Sequence, residues 1–137
     1  MLTDPARAFL KTTRLGFLSS RVETAGWSRP VPVWFEWATD AVRVFSSATA
    51  PKIQHLRAAP VAHLLVANQV GEPEAWVSIT ANVELGLVDP DWLESLSARY
   101  WDLNNDEHRS VVDGWLDDLD ALVLLTLRPT KLRVSGL

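Results

Sequence analysis

The amino-acid sequence predicts a mainly β protein with helices, in which antiparallel strands close into a small barrel. About six segments have the alternating or β-branched pattern of strands, and they follow one another in hairpin order. A short helical segment separates the third strand from the fourth, and a longer helical stretch precedes the last strand. Antiparallel strands in this number favour closure, because an open sheet leaves unpaired edges.

The first half of the chain predicts one helix and three strands. The helix covers residues 4–12, and "LGFLSSRV" follows as the first strand. "ETAGWSRP" predicts a turn that carries Gly26. Alternation in "VPVWFEWA" places Val33, Phe35 and Trp37 on one face of a second strand, and the "ATDA" turn leads into "VRVFSS" as the third.

The second half predicts a short helix, a hairpin, a helical insert and a closing strand. The short helix covers residues 51–59 and ends at Pro60. "VAHLLVANQ" and "AWVSITANVEL" form a hairpin across the "VGEPE" turn. Asp89 and Pro90 start the insert by cap and first-turn chemistry, and "HRSVVDGWLDDLD" continues it as a second helix. "LVLLTLRPTKLRV" predicts one or two closing strands.

The composition argues against several classes of function. The 137 residues suit one domain over residues 1–137, and a formal net charge of -4 without a basic run argues against nucleic-acid binding. No apolar run is long enough to cross a bilayer, so we expect no membrane association. The amino terminus lacks the pattern of a secretory signal, and the chain has no cysteine for disulfides or thiolate chemistry, so we expect a cytoplasmic protein.

The stretch "FSSATAPK" places hydroxyl groups and a cation beside a predicted helix start. Ser46, Ser47 and Thr49 supply the hydroxyls, and Lys52 supplies the cation. A helix start carries partial positive charge, so this loop suits an anion such as a phosphate. The alternative is that Ser47 and Thr49 only cap the helix and that Lys52 is a solvated surface residue.

Three segments resemble a known family in order and spacing. They are "SRPVPVWFEW", "VRVFSSATAPKIQHLRAAPVAHLLVA" and "AWVSITANVEL". Together they are similar to the pyridoxamine 5'-phosphate oxidase-like FMN-binding split-barrel family. The resemblance implies an antiparallel six-stranded split β-barrel of the flavin-reductase and oxidase kind, with a helical insert before the last strand. It also implies a homodimer that binds FMN at the subunit interface.

The resemblance implies where the FMN phosphate binds. The phosphate would lie in the loop from Ser46 to Lys52, and Lys52 is similar to the phosphate-binding lysine of the family. Ser47 and Thr49 resemble the residues whose hydroxyl groups contact the phosphate in that family. Relatives often carry arginine or serine where this chain has Pro51, so one phosphate ligand is expected to be absent.

The resemblance also implies where the flavin ring lies. Pro32, Val33 and Trp34 match the strand segment that runs along the isoalloxazine ring. Trp76 falls where relatives place a side chain near the ring, often from the second subunit. Apolar walls and a few backbone donors are what a flat ring needs. Core or dimer-interface packing explains Trp34 and Trp76 equally well.

The resemblance implies a flavin-dependent oxidoreductase that transfers hydride or electrons to or from a small organic substrate. No residue is identified as a catalytic acid or base, and the three histidines lack metal-ligand spacing. Pyridoxamine-phosphate oxidases carry an arginine-rich substrate motif near the carboxy terminus, whereas this sequence reads "TKLRVSGL", so we do not expect oxidation of vitamin B6.

Two alternatives remain open. One is a reductase of the same fold that uses a deazaflavin coenzyme, whose acidic tail would bind cations such as Arg7, Lys11 and Arg14. The other is a carrier or sensor that binds a flavin or haem without turnover.

Overall fold

The computed structural model describes residues 2–22 and 26–137. In these residues the chain forms, in order, α1 (Asp4–Lys11), β1 (Gly16–Val22), β2 (Gly26–Trp27), β3 (Val31–Val33), β4 (Glu36–Ala38), β5 (Ala41–Ser47), α2 (Pro51–Ala58), β6 (Val61–Ala67), β7 (Trp76–Gly86), α3 (Pro90–Tyr100), α4 (Asp106–Leu116), a short 3-10 turn (Leu119–Ala121) and β8 (Leu122–Ser135). Within this part of the chain, no helix is both long and apolar enough to cross a membrane.

The strands form one antiparallel sheet in the order β2-β1-β6-β7-β8-β5-β4, and β3 pairs separately with β1. The β3 and β4 strands therefore join opposite edges of the sheet, because β4 pairs with β5. The ladder is interrupted between them, so the barrel is split instead of closed by continuous hydrogen bonds. The prediction of a mainly β, antiparallel split barrel with a helical insert before the last strand is confirmed. The predicted number of six strands is corrected to eight among the described residues, because "VPVWFEWA" forms both β3 and β4 and Gly26–Trp27 pairs with β1 as β2.

The second predicted strand, "VPVWFEWA", is wrong in one respect: it is divided into β3 and β4. The division occurs at Trp34 and Phe35, where the chain changes its hydrogen-bonding partner from β1 to β5. The predicted inward face is nevertheless correct, since Val33, Phe35 and Trp37 are all buried in the core.

The predicted "ETAGWSRP" turn lies partly outside the described residues, at positions 23–25. Its described part includes Gly26–Trp27, which pairs antiparallel with β1. The "ATDA" turn has the predicted hairpin role: Thr39 and Asp40 both have a φ of 54°, the left-handed conformation that two-residue hairpin turns use.

Close packing of two core side chains explains the glycine that begins β1. A Cβ atom on Gly16 would lie 2.8 Å from Cδ1 of Leu64 and 3.2 Å from Cδ1 of Phe35. A larger residue would therefore push β1 away from the core beneath the strand break.

The helical insert is fixed to the barrel at that break. Phe35 lies between β3 and β4, and its backbone N–H donates to the Tyr100 hydroxyl at 3.0 Å. The same hydroxyl donates to the carbonyl of Arg14 at 2.7 Å and lies 3.2 Å from the carbonyl of Phe35. Burial raises the pKa of the Tyr100 phenol, so it stays neutral and keeps its proton for donation.

A buried cation joins the chain after α1 to the β6-β7 turn. Arg14 is only 7% exposed, and its guanidinium lies 3.9 Å from the centre of the Phe9 ring. Its Nη1 donates to the Phe9 carbonyl at 2.6 Å and its Nη2 to Glu72 at 2.7 Å. A hydrogen bond from the Gln69 N–H, and then the contact with Arg14, lower the pKa of Glu72.

We predict that Tyr100→Phe lowers the free energy of unfolding by about 1–3 kcal/mol, because it leaves the Phe35 N–H and the Arg14 carbonyl without this partner. Urea denaturation measures the change. Thr130→Val is the control, since it removes an exposed hydroxyl that donates to the Thr80 carbonyl at 3.1 Å, and should cost less than about 0.5 kcal/mol. An equal decrease in the free energy of unfolding in the two variants would contradict the role of Tyr100.

We predict that the stability difference between the wild type and Glu72→Gln shrinks as the pH falls. Since the folded-state pKa of Glu72 is lowered, its contribution to stability is present above the unfolded pKa and is lost as the pH falls through the folded pKa. Urea midpoints at pH 7 and pH 3 check this. Glu74→Gln, an exposed neighbour, is the control; a Glu72→Gln effect that does not depend on pH would refute the prediction.

Candidate cofactor-binding site

The loop between β5 and α2 is held by its own hydroxyl groups. The hydroxyls of Ser47 and Thr49 lie 3.0 Å apart, and the Thr49 N–H donates to Ser47 Oγ at 3.3 Å. The buried Ser46 donates to the Ser47 carbonyl at 3.2 Å. The N-cap of α2 is Ala50, which has no capping group, so the alternative that the loop hydroxyls cap this helix is wrong. The start of α2 is left open to an anion.

A cavity of about 320 Å³ lies beside the start of α2. We call it the cationic cavity; it is lined by Leu18, Ser20, Ser28, Arg29, Val31, Pro51, Lys52 and His55. Two cations, one imidazole and two hydroxyls thus come together from β1, from the chain before β3 and from α2. Arg29 and Lys52 are able to donate hydrogen bonds to an anion, whereas the Ser28 hydroxyl donates to the Arg29 carbonyl and the buried Ser20 hydroxyl to Ser28 Oγ.

Lys52 is the half-buried cation of this cavity. Desolvation lowers the pKa of its ammonium group, because burial disfavours the charged form. A phosphate next to Lys52 would offset that cost and favour the charged form. The electrostatics of the cavity therefore favour an anionic ligand.

A second cavity, of about 330 Å³, also has Lys52 in its lining. We call it the aromatic cavity; it is lined by Pro32, Val33, Trp34, Phe45, Lys52, Trp101 and Trp115. Lys52 is the one charged residue among these described lining residues. Lys52 thus lines both cavities, so a ligand with an anionic end and a flat ring could occupy the two together.

The helical insert builds one wall of the aromatic cavity. The Trp34 ring stacks on Tyr100 with centroids 5.1 Å apart and an angle of 7°, and it meets Trp101 edge-on at 4.7 Å. Trp101 in turn stacks on Trp115 at 5.8 Å. These contacts hold Trp34 against the insert at the strand break, so the orientation of this predicted ring-contacting residue depends on α3 and α4.

Trp76 lies elsewhere, on the outer face of the sheet. It lines a groove of about 570 Å³ together with Phe17, Ser19, Pro30, His63, Leu65, Ala67, Ser78 and Arg133. We call this the outer groove. Within one chain, the structure does not bring Trp76 to the two cavities around Lys52, as far as the described lining residues show.

The structure therefore groups the eight predicted site residues in three places. Pro32, Val33, Trp34 and Lys52 line the aromatic cavity. The three hydroxyl residues of the loop bond within the loop, and Trp76 lines the outer groove. No described group of three His, Asp or Glu side chains is placed to hold a metal ion.

Sequence reasoning missed several lining residues. His55 follows Lys52 by three positions, so helical spacing alone could have placed both on one face of α2. Arg29 lies two residues before the strand that is predicted to run along the ring, and it is a second cation near the predicted phosphate. Trp101 and Trp115 carry no such local signal, because their approach to Trp34 depends on how the insert folds back.

The fold is that of a split-barrel protein, and two of its cavities share Lys52 in their linings. The chain belongs to the pyridoxamine 5'-phosphate oxidase family, whose model matches residues 2–133. The resemblance inferred from the sequence is confirmed by this match. No curated protein matches the chain.

Solved structures that share this fold include proteins with different named functions. An F420 reductase is 17% identical, with a TM-score of 0.74 over 96% of this chain and 98% of that one. A conserved hypothetical protein from Mycobacterium tuberculosis is 19% identical, with a TM-score of 0.74 over 98% and 84%. A haem storage protein from Vibrio cholerae is 17% identical, with a TM-score of 0.69 over 99% and 96%. At these identities the matches show the fold alone.

Proposed function

We propose that the protein is an FMN-binding flavoprotein that transfers hydride or electrons to or from a small organic substrate. The observation that carries the proposal is the position of Lys52, which lines both the cationic cavity and the aromatic cavity. FMN has the matching shape, because one molecule joins a phosphate to a flat three-ring system.

The cationic cavity fits the phosphate of FMN. Arg29 offers a planar set of donors and Lys52 a compact positive charge, and both suit phosphate oxygens. The start of α2, which has no side-chain cap, adds uncharged backbone donors. These groups would supply the phosphate ligand that Pro51 removes.

The aromatic cavity fits the ring. Pro32, Val33 and Trp34 provide an apolar surface, and Trp101 and Trp115, which pack against Trp34, extend it. When it is bound, the flavin supplies the redox chemistry. The chain orients the ring and shapes the space beside it, and no side chain in this cavity is assigned as a catalytic acid or base.

A homodimer is part of the proposal. Three large apolar side chains are exposed on the outer face of the sheet: Phe17 at 39%, Leu65 at 40% and Trp27 at 42%. Phe17 and Leu65 are directly paired across β1 and β6, and both border the outer groove. A second copy packed on this face would cover them and would bring Trp76 towards the partner's flavin.

A deazaflavin coenzyme is the second candidate, and the fold match to an F420 reductase favours it. Its acidic tail would need free cations near the amino terminus. Arg14 is buried and bound to Glu72, and Arg7 lies 3.5 Å from Asp4 and 3.6 Å from Asp40. Of the three suggested cations, only Lys11 is exposed, and this favours FMN.

The match to a haem storage protein supports a carrier as the remaining alternative. A measurement of catalytic turnover distinguishes an enzyme from a carrier. FMN-loaded protein that is reduced by a reduced nicotinamide and reoxidised by an organic acceptor would be an enzyme, whereas binding without either step would indicate a carrier.

We predict that Lys52→Ala weakens FMN binding at least tenfold, since a charge-assisted hydrogen bond to phosphate contributes about 1.5–3 kcal/mol. Titration of the protein without cofactor, followed by quenching of flavin fluorescence, measures the affinity. Lys131→Ala removes an exposed lysine and is the matched control. Unchanged FMN affinity in Lys52→Ala would remove the central contact of the proposal.

We also predict that Leu65→Lys converts a dimer into a monomer, because it places a charge in the proposed apolar interface. Light scattering during gel filtration gives the mass. Leu87→Lys is the control, since Leu87 is 88% exposed and lies outside the outer groove. A wild type that is already monomeric at micromolar concentration would refute the homodimer.

A further inference from the structure

A row of polar side chains crosses three strands in the outer groove. Leu65 of β6 lies opposite Ser78 of β7, and Ser78 lies opposite Arg133 of β8. His63 is two residues before Leu65, so it projects from the same face of β6, and its Nε2 atom lies 2.6 Å from Ser78 Oγ. Arg133, Ser78 and His63 therefore form one polar row within the lining of the groove.

The pair of His63 and Ser78 is able to offer a hydrogen-bond donor to a ligand. The Trp27 ring meets the His63 ring edge-on, with centroids 5.9 Å apart, and so limits its movement. The Ser78 hydroxyl either donates to Nε2 of His63 or accepts a hydrogen bond from that nitrogen. An anion beside Ser78 favours the second arrangement, because the hydroxyl proton is then left for the anion.

Arg133 is the cation of the groove. Arg128, in the same strand, lies 2.9 Å from Glu84, whereas Arg133 has no ion pair among the described residues. The described residues that line the groove also include no acidic side chain. A guanidinium group binds a carboxylate through two parallel hydrogen bonds. The groove therefore suits a carboxylate that comes from a ligand.

The remaining walls of the groove suit a flat, apolar group. Phe17, Leu65 and Trp76 supply most of the apolar lining, and two of them are aromatic. The volume of about 570 Å³ falls within the range of about 300–1,000 Å³ that is usual for small-molecule sites. Aromatic side chains pack favourably on a flat ring. A ring that carries one negative charge would match both the walls and the polar row.

We propose that the outer groove is the substrate site of the dimer and that it binds a flat-ringed organic acid. The carboxylate would bind to Arg133 and Ser78, and the ring would pack on Trp76. The inference rests on the proposed function and names its substrate class. In the proposed homodimer this face brings Trp76 towards the partner's flavin, so a ring that lies on Trp76 would face that flavin.

The test uses naphthoate and naphthylmethanol as probes, because they share a ring and differ in the carboxylate. Calorimetric titration measures the affinity of each probe for the wild type, Arg133→Gln and Ser78→Ala, without FMN and with saturating FMN. Arg128→Gln is the matched control, since it removes an exposed arginine of the same strand that does not line the groove. Thermal denaturation checks that each variant keeps its fold.

We expect Arg133→Gln to bind naphthoate about tenfold more weakly than the wild type, because a charge-assisted hydrogen bond is lost. Ser78→Ala should show a smaller loss in the same direction, and Arg128→Gln should show none. The affinity for naphthylmethanol should be the same in all variants. Saturating FMN should not weaken the binding of naphthoate, because FMN would occupy the two cavities around Lys52.

Three results would overturn the inference and leave the proposed function intact. They are an unchanged naphthoate affinity in Arg133→Gln, an equal loss of both probes in that variant, and displacement of naphthoate by FMN. Displacement would show that the two ligands share one site. A wild type that binds no FMN would instead refute the proposed function, and the substrate role of the groove with it.

Discussion

The hydroxyl group of Tyr100 is the contact on which the candidate site depends most. Where a barrel strand changes its pairing partner, some backbone N–H and C=O groups have no hydrogen-bond partner in a neighbouring strand. Such groups lower the free energy of unfolding when they are buried. Tyr100 satisfies the N–H of Phe35 at that break, and its ring stacks on Trp34. One side chain therefore stabilises the split in the barrel, fixes the insert on it and orients a wall of the aromatic cavity.

Two features of the candidate site lower the stability of the folded chain. Lys52 is half-buried with a lowered pKa, and the start of α2 has no side-chain cap. Both features cost free energy in a folded chain without a ligand, and an anion relieves both. By contrast, Arg14 is buried with a carboxylate and a carbonyl as partners, which marks it as structural. The environment of each cation, and not its charge, distinguishes these roles.

Local patterns predicted much of this fold, and contacts between distant segments explain what they missed. Alternation identified the inward face of Val33 and Phe35, and cap chemistry identified Asp89, whose carboxylate accepts from the Trp92 N–H at 3.0 Å. The strand break was missed because it reflects a change of partner between β1 and β5. Arg29 joins Lys52 only because the chain before β3 packs beside α2, which no local pattern encodes.

The most direct test of the account is the visible absorption spectrum of the purified protein, with mass analysis of any chromophore that heat releases. The account predicts an oxidised-flavin spectrum and released FMN, either as purified or after FMN is added. A deazaflavin in the released fraction would assign the two cavities around Lys52 to the other coenzyme. A colourless protein that takes up no FMN would contradict the central claim that these cavities together form a flavin site.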